Sequence, residues 1–203
     1  MNQELKDAIR ARNVLKSSTH ADNDSYRPCI AFKLNYCDGG KSDKIVGFCG
    51  VCSDKIIKLN QTMNRSWCTN PDCACARYYD GSITRRELEH EYEDYYGGAY
   101  ICYESAALRD GFFAAGVDRH GTEKKINGAG KGHLCIFTTQ IPDANDNLIE
   151  KERIIVSMGI IKDIGDGNGN GDAVYMDLDY SINFSLSEAR NFKFWDIQTN
   201  GIF

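Results

Sequence analysis

Apolar positions along the chain follow two periods, and the switches between them mark the elements. Leu5, Ile9 and Val14 or Leu15 line one side of a short helix over residues 3–16, and the polar run from Ser17 to Arg27 follows it. Cys29 to Tyr36 predicts a strand that ends at the turn Cys37-Asp-Gly-Gly-Lys41. Residues 47–76 hold five of the cysteines and little core material. Thr84-Arg-Arg-Glu87 is a capping box, in which hydroxyl and carboxylate each satisfy a backbone amide. It predicts a helix to about Tyr95, with Leu88, Tyr92 and Tyr95 on one face.

Ala99 to Tyr103 reads as a short strand and Glu104 to Ala115 as a helix, packed through Leu108, Phe112 and Ala115 and stopped by Gly116. His133 to Thr139 is a strand. Arg153 to Ile164 is almost continuously apolar, which predicts a strand buried on both faces. Val174, Met176, Leu178, Tyr180 and Ile182 alternate with polar residues, the period of a half-buried strand. A second capping box, Ser185-Leu-Ser-Glu188, opens a terminal helix carrying Phe192 and Trp195. The pattern predicts an α+β fold on a mostly antiparallel sheet. Residues 1–46 form an N-terminal helix and strand, 47–80 a zinc module and 81–203 the main domain.

Composition narrows the class. With 203 residues, 42% hydrophobic and 26% charged, the chain is long enough for one ordinary core and too apolar for disorder. Its longest nearly apolar stretch, Ile154 to Ile161, is far short of a membrane span of about 18 residues. The charged start Met-Asn-Gln-Glu-Leu-Lys-Asp lacks the apolar core of a signal peptide, so a cytoplasmic protein is expected. In reducing cytosol, nine cysteines point to metal or chemistry rather than to disulfides.

A net charge of −5 argues against indiscriminate nucleic-acid binding, but the charge is uneven. Residues 41–65 and 119–133 are each +3, and 141–180 is −6. The two basic islands suit one anion-binding face; as solvated loops they carry no function.

The strongest chemical signal is Cys49-Gly-Val-Cys52 followed by Trp67-Cys68-Thr-Asn-Pro-Asp-Cys73-Ala-Cys75. A Cys-x-x-Cys knuckle brings two thiolates to one tetrahedral ion, and a second pair about 16 residues later completes it. The expected ligands are Cys49, Cys52, Cys68 and Cys75, with Cys73 the alternative to Cys75. Four cysteines leave zinc no open position, so the ion is structural and its binding orders a core-poor segment. A redox Cys-x-x-Cys belongs at a helix start after a strand, and the second cysteine group disfavours it. Cys29, Cys37, Cys102 and Cys135 read as core thiols.

Other motifs are weaker. Asp166-Gly-Asn168-Gly-Asn170-Gly-Asp172 resembles half a calcium loop, but Asp177 stands where a bidentate Glu belongs and the flanks are strands, so calcium over 166–177 is disfavoured against a hairpin loop. Gly128-Ala-Gly-Lys131-Gly lacks the Ser/Thr and the helix of a Walker loop. His20, His90, His120 and His133 are scattered, and no catalytic constellation is visible. Aromatic residues beside the sheet are core, or line a pocket for a flipped base.

From Tyr100 to Trp195 the chain resembles a PUA-superfamily domain of the EVE, YTH and ASCH kind. The resemblance is carried by Ile101-Cys-Tyr-Glu-Ser105, the basic glycine loop before Leu134-Cys-Ile-Phe-Thr-Thr139, Arg153-Ile-Ile-Val-Ser-Met-Gly-Ile-Ile161, and Phe194-Trp195. It implies a twisted, barrel-like sheet and the reading of modified or unpaired bases, as in the specificity modules of modification-dependent bacterial restriction systems that act with a nuclease. In that reading Arg119, Lys124, Lys125 and Lys131 meet phosphate, while Tyr103, Trp195 and Phe137 contact a base. Ser105 or Thr139 then hydrogen-bonds the base edge. DNA, with or without a modified base, is the expected partner. A non-catalytic protein-interaction module using the acidic helix 85–95 and hairpin 163–179 is the alternative.

Overall fold

A computed structural model describes residues 29–39, 48, 50–95, 103–118, 120–142, 153–167 and 169–194. The helix expected over 3–16, most of the strand expected from Ala99, and Cys49, Cys102, Arg119 and Trp195 lie outside these residues. Among the described residues the order of elements begins with β1 (Ile30–Lys33), α1 (Asp54–Thr62), a 3-10 turn (Trp67–Thr69), α2 (Ala74–Tyr79), α3 (Arg85–Tyr95) and α4 (Tyr103–Asp110). It ends with β2 (Phe112–Ala114), β3 (Leu134–Thr139), β4 (Ile154–Asp166), β5 (Asp172–Asn183) and α5 (Leu186–Ala189). The class is α+β, and the five strands form one mixed sheet in the order β1-β3-β4-β5-β2. Among the described residues no helix is long and apolar enough to cross a membrane.

Two compact units interleave along the sequence. The first takes Met1–Phe32, Asp110–Phe137 and Ser157–Asn183; the second takes Lys33–Arg109, Thr138–Val156 and Phe184–Phe203.

In the first unit Phe32, Phe113 and Phe137 form an aromatic cluster, with ring centroids 4.6 to 5.8 Å apart. Phe137 is fully buried. Burial of each such ring contributes about 1.5–3 kcal/mol. The helix expected to run to Ala115 stops at Asp110. Gly111 takes φ +64°, which an L side chain rarely adopts, and Phe112–Ala114 leave as a strand antiparallel to β5. Ladder bonding to β5 therefore overrides the helical spacing of Leu108, Phe112 and Ala115.

The alternation in β5 is broken. Val174, Met176 and Ile182 are buried, but Leu178 and Tyr180 are exposed. The register explains it: Gly159 pairs with Ser181 while Ile160 pairs with Asp177, so Leu178, Asp179 and Tyr180 are left over and bulge from the ladder. β4 is likewise buried only along its first half; its end runs out into the hairpin, so burial on both faces fails there.

The second unit holds the cysteine-rich segment, which has more core than its composition suggests. Val51, Ile56, Ile57 and Ala74 are buried, because α1 and α2 turn their few apolar residues inward. Both capping boxes form. Glu87 Oε2 accepts from the Thr84 amide at 2.7 Å, and Glu188 Oε2 accepts from the Ser185 amide at 3.0 Å. Leu88 is fully buried. The terminal helix is only one turn long, and Phe192 follows it, its ring 4.9 Å from that of Phe184.

Candidate metal centre

Five of the described cysteines line one cavity inside the second unit. They are Cys37, Cys52, Cys68, Cys73 and Cys75, which share its walls with Tyr36, Trp67 and Glu104, and its volume is about 30 Å³. A void of that size holds an ion or a water molecule or two, not a nucleobase.

Local structure brings each side chain there. Ser53 caps α1, its Oγ accepting from the Ile56 amide at 3.4 Å, which fixes Cys52 at the helix entry. Arg85 of α3 donates to the Cys52 carbonyl at 2.7 Å and pairs with Asp54 at 3.1 Å, holding the knuckle from outside. Cys68 lies in the 3-10 turn, whose first residue, Trp67, takes φ +30°. A bulky residue at positive φ is a strained conformation. Gln61 donates to the Cys68 carbonyl. Cys73 precedes α2 as its cap residue, and Cys75 is buried in the first turn.

Polar groups surround the thiols. Asn35 Nδ2 donates to Glu104 Oε1 at 2.7 Å and lies 3.7 Å from Cys68 Sγ. Glu104 is itself buried. Burial pushes the Tyr36 hydroxyl up to about 12, and the nearby Asp38 carboxylate and Cys37 add to it. Tyr36 therefore stays neutral at the cavity wall.

The donor set fits zinc in kind, since thiolates in a small, partly apolar cavity suit a soft, four-coordinate ion. Cys52, Cys68, Cys73 and Cys75 line the cavity together, and Cys49 lies outside the described residues. Among the described residues no group of three or more His, Cys, Asp or Glu side chains already has metal-ligating geometry. Cys37, assigned to the core, lines the same cavity. Its distance in sequence from the two cysteine groups gave no sign of this.

The candidate nucleic-acid residues among those described are divided between the units, and Ser105 alone of them is tied to the cavity, its Oγ 3.6 Å from Cys37 Sγ. Lys124, Lys125 and Lys131 are exposed in the first unit, where Lys125 Nζ is 3.0 Å from Asp172 Oδ1. Tyr103 opens α4 rather than ending a strand. Ser105 and Thr139 are fully buried in the second unit, and Thr139 Oγ1 donates to the Leu34 carbonyl at 3.0 Å. Phe137 belongs to the aromatic core.

The glycine-rich segment after Asp166 is the β4–β5 hairpin loop, closed by the Gly167 amide on the Gly171 carbonyl at 2.8 Å. The Asp172 carboxylate accepts from the Ile126 amide at 2.9 Å as well as from Lys125. The Gly128–Gly132 loop runs into β3, not into a helix. No protein family, curated protein or solved structure matches the chain.

Proposed function

We propose that the chain is a non-catalytic binding module, cytoplasmic, whose second unit is stapled by one structural zinc. The observation that carries this reading is the gathering of cysteines from distant segments around one small cavity. Cys49, Cys52, Cys68 and Cys75 hold the ion, with Cys73 the alternative to Cys75. The metal supplies folding free energy and no open coordination position.

Elemental analysis of the reduced protein, purified without chelator, tests it. About one zinc per chain is expected, with loss of zinc and of thermal stability in Cys52→Ser/Cys68→Ser. A metal-free chain whose melting is indifferent to chelator refutes the staple.

The partner reading is nucleic acid, on a PUA-like sheet, as a specificity element beside a nuclease. The exposed Lys124 and Lys131 and the basic glycine loop leading into β3 support it. Lys124→Glu/Lys131→Glu should then weaken binding to all duplexes and flatten its salt dependence. A protein partner is favoured by a different observation. The acidic hairpin exposes Tyr175, Leu178 and Tyr180 between Asp163, Asp166, Asp177 and Asp179. Titration of modified and unmodified DNA and RNA, single- and double-stranded, separates the two; no binding to any of them leaves the hairpin as the working surface.

A further inference from the structure

Cys37 sits outside both cysteine groups of the sequence, yet the fold places it with them. It is fully buried and lines the cavity shared by Cys52, Cys68, Cys73 and Cys75. Its Sγ is 3.5 Å from the Gly50 carbonyl oxygen, inside the Cys49–Cys52 knuckle, and 3.6 Å from Ser105 Oγ.

The turn that carries it is docked on the knuckle by two independent devices. Asp38 receives the Ser53 amide and hydroxyl at 2.8 and 2.7 Å. Gly39 lies so close that an added Cβ would stand 2.0 Å from the Gly50 carbonyl oxygen, where backbone meets backbone and neither side can give. A thiol held this rigidly at the wall of a thiol-lined cavity is placed as a ligand is placed, with little conformational entropy left to lose on binding.

We infer that Cys37 is a ligand of the metal centre, contributed by the turn after β1. The inference rests on the zinc reading above and deepens it. On binding, the Cys37 proton leaves to solvent and the Sγ–zinc bond replaces the weak contact to the Gly50 carbonyl. With Cys37 included, the region offers six cysteines, Cys37, Cys49, Cys52, Cys68, Cys73 and Cys75, for the four places of one tetrahedral ion, so two of them are spare.

The test is proton–cadmium correlation NMR on the full chain loaded with a spin-half cadmium isotope, because scalar coupling passes only through a metal–sulfur bond. A cross-peak to the Cys37 β-protons is expected. Cys37→Ser should abolish it and weaken cadmium binding about tenfold or more, an effect that Cys135→Ser, in the other unit, should not share. Should Cys37→Ser fail to fold, the cross-peak in the unsubstituted chain decides alone. Cross-peaks from other cysteines without one from Cys37 would overturn the inference and leave the zinc reading standing. Cross-peaks from no cysteine would overturn both.

Discussion

Asp38 grips Ser53 with both carboxylate oxygens: Oδ1 accepts the backbone amide at 2.8 Å and Oδ2 the hydroxyl at 2.7 Å. Each residue directly follows a cavity-lining cysteine, Cys37 and Cys52, so the clamp ties two thiol-bearing segments together. Ser53 is also the cap of α1, so one residue serves the helix end and the clamp.

Asp38 is buried, and removing its carboxylate strands two donors. Asp38→Ala should cost about 1–3 kcal/mol in urea unfolding, by the usual penalty for unmade buried hydrogen bonds. Ser53→Ala, which keeps the amide contact, should cost about 1 kcal/mol. A double-mutant cycle should show the two are coupled; strict additivity would show that they act separately.

The bulge in β5 gives a second contrast. Leu178→Ser and Tyr180→Ser should change stability by no more than about 0.5 kcal/mol, as exposed substitutions do. Val174 is fully buried in the same strand. Val174→Ala should cost about 2 kcal/mol or more, as loss of buried methyl groups plus a cavity. Equal costs at Leu178 and Val174 would contradict the register shift.

The contrast also shows what the sequence could disclose. Capping boxes are local, four-residue chemistry, and Thr84 and Ser185 were legible because nothing distant competes with them. Leu178 and Tyr180 were misread because alternation alone does not reveal where a partner strand slips by several residues. Gly111 was passed over for Gly116 because the helix is stopped by pairing with β5, a long-range event. Cys37, read as a core thiol, is fully buried, and only the fold brings its turn to Gly50. Ser105 and Thr139 looked available for a base edge until burial was seen.

Acid should act in two separate steps. The Asp172 carboxylate is held below its ordinary value by the Ile126 amide and then by Lys125; Asp118 is held down by the Thr122 and His120 amides. A lowered folded value means full stabilisation above the unfolded value of about 4 and loss as pH falls through the folded one. Asp172→Asn should therefore lower stability near neutrality, where the carboxylate contributes in full, and the difference from the unsubstituted chain should shrink as pH falls below about 4. Metal release depends on thiolate protonation and should be complete at a higher pH than this step. Zinc retained throughout the carboxylate transition would contradict the thiolate assignment.

X-ray absorption at the zinc edge of the protein as purified tests the central claim most directly. An all-sulfur shell of about four scatterers near 2.3 Å is expected for thiolate ligation. A shell dominated by nitrogen or oxygen near 2.0 Å, or zinc bound only in substoichiometric amount, would contradict the staple on which the account rests.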